Sequence, residues 1–507
     1  MKKCLLTSLL LILMVPIGLA QSLRVKIITS ATGEPVPYAN ISVNATENFV
    51  SNGEGYFSLS ENNSQDATVI LVSYLGFVNQ QLTVGQLKNQ DLTIKMLPAM
   101  YELEDVAISD EKITADQIMA TVKANLKTNY QTSEKANKDK IFHRTTQYFD
   151  PSKIEVEINK STGFSKVALD KVNNDIQSYA RKLIAHPPVS FTDVLCNYYS
   201  VKTKKSDKFV FTSKLDVLKA TILENEGQST SLEDLEKKGK ELMLKHLDTT
   251  KFYRFKSGLI GSRDTISFSE EFNRKLNKDT VNTKQLAQAK SDLNRIMRKG
   301  NILTNKNLDF IQNPDWYTYT LEGTTFTNKN EYAYVLTFKP RKSKAKFVGK
   351  LYVSDGDYAV LRAEYALEDG ERLEGLNLKL LFGIKFSVNI SKGTMMYTKS
   401  SSDDKYYLQY ASKEEGGYFY VNRPLKLIEL AKGEKDVLDL DFKMETTTRT
   451  KNEYLNISRT PIDAATVTGF KEKDFKYQTI SKYDPKIWQA YNAIEPLQEM
   501  KQFKTIN

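Results

Sequence analysis

The sequence predicts a mainly β protein with some α-helix: an N-terminal β-sandwich followed by an α+β domain built on an antiparallel meander or half-barrel. Two patterns support this prediction. Residues 23–97 alternate apolar and polar side chains with a period of two, and turn-forming residues interrupt the alternation. Residues 316–450 return to the same alternation after a stretch with mixed strand and helix patterns.

Five short strands are predicted in the N-terminal stretch, at residues 23–27, 39–43, 56–59, 68–74 and 92–96. The fourth is a nearly continuous apolar run, which is typical of a central strand buried on both faces. Gly53 and Gly55 can adopt positive φ, so a tight reversal is expected before the third strand. These features together predict a small sandwich.

Three motifs in this stretch carry a family resemblance: EPVPYAN at 34–40, NGEGYF at 52–57 and VSYLGF at 72–77. The stretch resembles the carboxypeptidase-regulatory-like domain of envelope proteins from Bacteroidetes-type bacteria. The resemblance implies a transthyretin-like, seven-stranded sandwich without catalytic residues of its own. It therefore implies an architecture and an envelope location, but no activity.

The chain has 507 residues, which exceeds one ordinary core, and its 40% hydrophobic and 26% charged residues are typical of a globular protein. We predict five segments. They are a signal peptide at 1–20, the carboxypeptidase-regulatory-like β-sandwich at 21–97, a linker and helix at 98–140, an α+β antiparallel sheet domain at 141–480 and a C-terminal helical tail at 481–507.

The first residues predict export. Lys2 and Lys3 precede an apolar run at 5–19, and small residues at 18–20 provide a cleavage site before Gln21. The alternative, a transmembrane anchor, needs a longer apolar run. Cys4 precedes the apolar run, whereas a bacterial lipoprotein cysteine follows it, so no lipid anchor is expected. The predicted location is the periplasm or the periphery of the outer membrane.

The net charge of +10 is spread over many lysines. It favours weak attraction to anionic surfaces such as lipopolysaccharide, and it is too dilute to indicate nucleic-acid binding. Six basic residues form the densest cluster: Lys339, Arg341, Lys342, Lys344, Lys346 and Lys350. We interpret Arg341, Lys342, Lys344 and Lys346 as a candidate patch for lipid or lipopolysaccharide. The alternative is a lysine-protected strand edge.

The larger domain mixes helices with strands. Helical spacing predicts helices at 114–130, with Thr114 as N-cap, at 164–184, at 231–247 and at 283–299. The clearest hairpin pairs residues 346–353 with 358–367 through a turn at 354–357. Alternation places Leu351, Val353, Leu361, Ala363 and Tyr365 on one face, which must be buried against helices or around a ligand. We interpret Leu351, Val353, Leu361 and Tyr365 as a candidate ligand face.

Residues 334–340, 347–353 and 358–360 resemble central hairpins of the periplasmic lipoprotein-carrier superfamily. In that family an incomplete barrel surrounds an apolar cavity that holds acyl chains, and a helix covers it. The resemblance implies a carrier or sensor of an apolar ligand.

Motifs for catalysis, cofactors or metals are not found in the sequence. His143, His186 and His246 lie far apart, so a catalytic zinc site is not expected. The chain lacks a Gly-x-Ser-x-Gly elbow, and Cys196 has no cation nearby in sequence to activate it. Residues 354–357 lack the later ligands of a calcium loop. We therefore predict a protein that is not an enzyme and uses no cofactor.

Three function classes remain open. The first is an exported envelope protein that acts as a binding or docking scaffold for a protein or a glycan. The second is a periplasmic carrier or sensor of an acyl ligand in the rear sheet domain. The third is an outer-membrane β-barrel, which ranks last because the predicted strands are short and helices interrupt them.

Overall fold

The computed structural model describes residues 23–99, 113–131, 135–162, 164–205, 208–224, 251–258, 260–267, 282–327, 331–430, 432, 437–488, 490–491 and 493–503. The predicted signal peptide and the predicted helix at 231–247 lie outside these residues. The chain divides into two compact units. The first contains residues up to Val72 with Asn79–Leu97 and Asp484–Glu495, and the second contains Ser73–Val78, Pro98–Tyr483 and Pro496–Asn507.

The first unit is built from seven short strands and one helical turn. They are β1 (Leu23–Thr29), β2 (Asn40–Val43), β3 (Glu47–Val50), β4 (Tyr56–Leu59), β5 (Val69–Ser73), β6 (Gln80–Thr83), β7 (Thr93–Met96) and α1 (Val84–Lys88). One sheet has the order β4-β1-β7 and the other β3-β2-β5-β6. The two-sheet architecture predicted for this stretch is therefore confirmed.

Alternation along these strands buries one face of each. Val25 and Ile27 of β1 and Phe57 and Leu59 of β4 are fully buried in the core. The prediction that β5 is buried on both faces is wrong, because Val69 is exposed while Ile70 is buried. Although its sequence is a continuous apolar run, β5 is a half-buried strand.

The second unit is organised on a single sheet of fourteen strands. The strands are β8 (Ala136–Ser161), β9 (Val189–Lys205), β10 (Lys208–Leu223), β11 (Phe252–Ser257), β12 (Ile260–Ser267), β13 (Tyr317–Phe326), β14 (Tyr332–Pro340), β15 (Phe347–Ser354), β16 (Val360–Leu367), β17 (Glu374–Leu378), β18 (Ile384–Lys399), β19 (Tyr406–Glu429), β20 (Val437–Ile462) and β21 (Gln478–Ile480). The main path runs β13-β14-β15-β16-β18-β19-β20-β8-β9-β10-β21, and β13 and β21 are its two ends. The predicted antiparallel meander is confirmed.

Seven helices accompany this sheet in the described part of the chain. They are α2 (Ala115–Tyr130), α3 (Lys166–Ala185), α4 (Asn282–Lys299), α5 (Asp309–Gln312), α6 (Lys379–Phe382), α7 (Ala464–Gly469) and α8 (Gln498–Lys501). Thr114 caps α2 through a reciprocal capping box with Gln117, as its position predicted. His186 is the C-cap of α3. None of the described helices is long and apolar enough to cross a membrane.

Three strands of the second unit, β8, β19 and β20, have 24 to 26 residues and are far longer than the sequence pattern indicates. Residues 142–149 and 154–158 have the pattern of two separate strands, but both belong to β8, which pairs with β20 along its length. Register shifts let the ladder continue where the alternation is interrupted, for example at Pro151. The expectation of short strands is therefore wrong.

The main core of the second unit lies between the sheet and two long helices. Helix α2 contributes Ile118, Met119 and Val122, and α4 contributes Leu293 and Ile296. The predicted helix at 283–299 is present as α4, and it helps to bury the apolar face of the sheet. Helix α3 packs with a separate cluster that includes Phe149 and Met444.

Candidate binding site

The predicted ligand face lies inside the packed core. Leu351, Val353 and Ala363 are fully buried, and Tyr365 is nearly so. Phe310 of α5 occupies the space in front of this face. Its ring centroid lies 5.2 Å from Tyr365 and 5.9 Å from Phe347. A carrier that held an acyl chain at this face would have to displace the Phe310 ring.

Leu361 does not share this face, which corrects the sequence interpretation. Tyr352 pairs with Arg362, but the next residue, Val353, pairs with Val360, so Leu361 is the extra residue of a β-bulge. Val360 therefore occupies the position that alternation had assigned to Leu361, and it is fully buried while Leu361 is partly exposed.

The predicted basic patch forms local contacts on its own loops. Lys342 Nζ lies 2.8 Å from Asp315 Oδ2, and Arg341 Nη2 donates to the Asp315 carbonyl at 2.7 Å. Lys344 Nζ lies 3.4 Å from the centroid of Trp316. Lys346 Nζ donates to a backbone carbonyl and lies 3.9 Å from Glu371 Oε2. These contacts give each cation a structural partner.

The residues considered in the sequence as metal ligands or nucleophiles lie in environments that do not favour those roles. His143 is buried, and burial lowers its pKa. Burial raises the pKa of the Cys196 thiol, which opposes formation of the thiolate. In the 354–357 turn, Asp357 accepts a hydrogen bond from Tyr406 Oη at 2.9 Å. His246 lies outside the described residues, and among those described, groups of three or more His, Cys, Asp or Glu placed to hold a metal are not found.

A groove on the second unit lies where α4 crosses β18, β19 and β20, and its volume is about 440 Å³. Arg295 and Lys299 project from α4 into it. Phe386 and Phe419, which pair across β18 and β19, form an aromatic wall, and Thr448, Thr450 and Asn452 of β20 add polar groups. Tyr418 also borders the groove, but as the neighbour of Phe419 in β19 its side chain points to the other face of the sheet. This volume lies within the range of roughly 300–1,000 Å³ that is typical of small-ligand sites.

A local irregularity in the sheet opens this groove. Ser387 pairs with Tyr418, but the next paired residues are Ile390 and Gly416, so both strands depart from regular register between these pairs. A Cβ at Gly417 would lie 2.1 Å from the Ser387 carbonyl oxygen. Glycine is therefore required at 417 for the close approach of the two backbones.

The electrostatics of the groove centre on Glu415. Its carboxylate pairs with Lys299, and its Oε1 lies 2.9 Å from Nζ of the buried Lys413. Burial opposes ionisation of Glu415, but the two lysines outweigh it and hold the pKa of this carboxyl below its usual value. Burial lowers the pKa of Lys413.

Lys413 lines a small inner pocket that shares Arg295, Lys299 and Asn452 with the groove. Hydrogen bonds hold two of the groove residues in place. Asn452 Oδ1 accepts from Thr145 Oγ1 at 3.1 Å, and Tyr418 Oη donates to Glu445 at 2.7 Å. The groove and its inner pocket therefore combine three cationic side chains with the single carboxylate of Glu415.

A second, smaller cleft of about 160 Å³ is lined by five tyrosines: Tyr130, Tyr397, Tyr406, Tyr407 and Tyr454. Three of the hydroxyl groups are bonded within the protein, to the Val360 carbonyl, the Gly300 carbonyl and Asp357. Arg459 also lines the cleft, but its guanidinium binds Asp139 through two atoms. The Arg459 guanidinium and these three hydroxyl groups are therefore engaged within the protein.

Sequence reasoning did not identify the groove, because its residues are separated by up to about 160 positions along the chain. One signal was present. Gly416 and Gly417 interrupt an otherwise strand-like pattern, and glycine inside a strand indicates a bulge or a close backbone approach. In the structure both glycines lie inside β19.

Comparison with known proteins supports the front-domain resemblance. Residues 26–108 match the family model of the CarboxypepD_reg-like domain. No curated protein matches the chain. A DUF1329 family protein from Desulfovibrio piger shares 9% identity, covering 70% of this chain and 98% of that one, with a TM-score of 0.18. The Pseudomonas putida toluene transporter TodX also shares 9% identity, covering 66% and 93%, with a TM-score of 0.11. These TM-scores are too low to support an inference about fold or function.

Proposed function

We propose that this protein is a non-enzymatic, exported binding protein whose groove under α4 holds an anionic glycan. One observation carries the proposal. Arg295, Lys299 and Lys413 line the groove and its inner pocket, while Glu415 is the only carboxylate among the lining residues given above. Arg295 also pairs with Asp292 of its own helix at 2.7 Å, so three cations meet two carboxylates and a net positive charge remains. Beside the buried Lys413, attraction to an anion is less screened than in open water.

The other lining groups suit a sugar. The side chains of Phe386 and Phe419 give apolar surface, and the hydroxyl and amide groups of Thr448, Thr450 and Asn452 supply directional hydrogen bonds. A mostly apolar and aromatic wall with a few fixed polar groups is typical of specific ligand sites. A sugar ring with hydroxyl groups and a carboxylate has chemistry that matches each of these features.

The proposal is tested by isothermal titration calorimetry of the mature chain with oligogalacturonate and with its methyl-esterified form. The two probes share one sugar ring and differ in charge. We expect the anionic probe to bind and the neutral ester to bind at least about tenfold more weakly, since a hydrogen bond to a charged group contributes roughly 1.5–3 kcal/mol.

A matched pair of variants locates the site. Arg295 lines the groove, whereas Arg298 lies on the same helix, is exposed and is not among the lining residues. Arg295→Gln should weaken binding of oligogalacturonate about tenfold, and Arg298→Gln should leave it unchanged. Equal affinity of the two variants, or equal binding of charged and neutral probes, would overturn the proposal.

A further inference from the structure

The hairpin formed by β17 and β18 exposes leucines at its tip. Leu380 is 100% exposed, Leu381 is 75% exposed and Leu376 is 42% exposed. Leu380 and Leu381 belong to α6, the single helical turn that connects the two strands. Exposed leucines are normal when they are scattered, but a contiguous group at one projecting tip indicates an interaction site.

Two contacts hold this tip in one conformation. The guanidinium of the buried Arg423 donates from Nη1 to the Phe382 carbonyl at 2.8 Å, and the Asn422 amide donates to the Gly383 carbonyl at 2.7 Å. Gly383 ends the turn with φ of 61°, and a Cβ there would lie 2.1 Å from the Asn422 carbonyl oxygen. The leucines are therefore presented by a fixed turn, so binding would cost little conformational entropy.

Positive charge lies beside the leucines. Lys379 lies in the same turn, with its Nζ 4.2 Å from the ring centroid of Tyr420, and Lys385 Nζ lies 5.4 Å from that of Tyr418. Within the described part of the chain, neither lysine has a carboxylate within ion-pair distance. Both tyrosines belong to β19, so the two lysines lie over the rings of one neighbouring strand.

We propose that this leucine tip, defined as residues 376–385, inserts into the surface of an anionic lipid bilayer. Leucine side chains gain free energy when they leave water for the acyl region. Lysines near the membrane surface are attracted to anionic headgroups.

The shape of the tip favours a lipid surface over a protein partner. A side chain that is fully exposed at the end of a hairpin touches little of its own protein, so a rigid partner would need a deep complementary pocket. A bilayer accepts a projecting apolar group without such a pocket. The predicted basic patch at 341–346 is a different surface, and its side chains already have partners.

The test is flotation of the mature chain with vesicles of phosphatidylcholine alone and with vesicles that also contain phosphatidylglycerol. We expect binding to the mixed vesicles, weaker binding to the neutral ones and a decrease with added salt. Leu380→Asp with Leu381→Asp should reduce binding about tenfold or more. A Leu380→Trp variant should bind and should show a blue-shifted emission, quenched by brominated lipid.

The matched control is Val167→Asp, because Val167 is 79% exposed and belongs to α3, outside residues 376–385. It should bind vesicles like the unchanged protein. The double variant should also retain affinity for oligogalacturonate, which separates this proposal from the glycan site. Absence of vesicle binding, or equal binding by the double variant, would overturn the membrane proposal.

Discussion

Glu415 contributes both to the stability of the fold and to the charge of the groove. Its carboxylate lies between Lys299 and the buried Lys413, so it compensates a cation that water cannot reach. Removing one partner of such a pair leaves the other charge without compensation, which costs more than the pair itself contributes. The ion pair therefore holds α4 to β19 at the position where the groove begins.

We expect Glu415→Gln to lower the free energy of unfolding at neutral pH by roughly 1–3 kcal/mol, because Lys413 would lose its ionised partner. Urea unfolding at pH 7 measures this change. Glu155 provides the control, since its pair with Lys153 lies on the surface. Glu155→Gln should leave unfolding unchanged, and an equal loss in both variants would contradict the role assigned to Glu415.

The same comparison has a defined dependence on pH. Because the pKa of Glu415 is lowered in the folded protein, its contribution is complete above the unfolded pKa of about 4.3 and is lost as the pH falls through the lower, folded value. The stability difference between the unchanged protein and Glu415→Gln should therefore shrink on acidification below about pH 4.

At the scale of single elements, regular alternation predicted the hairpin of β15 and β16 but could not predict its bulge. Leu351 and Leu361 have the same side chain and the same predicted face. The bulge at the Val353–Val360 pair moves only Leu361 off that face. A bulge depends on the pairing of both strands, whereas a sequence pattern describes each strand alone.

These two leucines give a matched test. Leu351→Ala should lower the free energy of unfolding by about 2–5 kcal/mol, because it leaves a cavity in the core beside Leu336 and Ala363. Leu361→Ala should cost clearly less, since Leu361 is partly exposed. Chemical denaturation of both variants measures the difference. Equal losses would indicate that Leu361 is buried on the same face as Leu351 and would contradict the bulge.

Helices were easier to predict than the strands β9 and β10. Helix α2 has apolar residues four positions apart and a Thr114 cap, and both signals lie within one short segment. Strand β9 is buried on both faces and carries charge inside, where Asp193 accepts from Arg144 Nε and Nη2 at 2.7 Å each. A polar residue at a buried position breaks the apolar–polar alternation that identifies a strand. The sequence does not reveal that Asp193 is buried, because its partner Arg144 lies 49 positions away.

At the scale of the whole molecule, segments distant in sequence complete each unit. Tyr74 lies in a motif of the front-domain resemblance, yet it belongs to the second unit, where its hydroxyl accepts from Arg362 Nη2 at 2.9 Å. In turn, Glu495 belongs to the first unit, where its carboxylate pairs with Arg24 at 3.1 Å and accepts from Ser58 Oγ at 2.5 Å. Tyr74 is therefore no core residue of the sandwich, in contrast to the buried Phe57.

Because residues 484–495 belong to the first unit, they affect the expected stability of the isolated front domain. Its strands pair locally, so residues 21–100 should fold alone. Because Glu495 is nearly buried against Arg24 and Ser58, this fragment should be less stable without residues 484–495. A synthetic peptide of residues 484–495 should bind the folded fragment and raise its melting temperature with increasing concentration, as mass action requires.

The control peptide replaces Glu495 by Gln, which removes the charge paired with Arg24 and keeps the length and the remaining sequence. It should raise the melting temperature of the fragment less at the same concentration. Phe57→Ala in the fragment should abolish cooperative melting or lower its stability by about 3–5 kcal/mol, because Phe57 is a buried core residue. If the two peptides act equally, or if neither acts, Glu495 does not stabilise the first unit through its pair with Arg24.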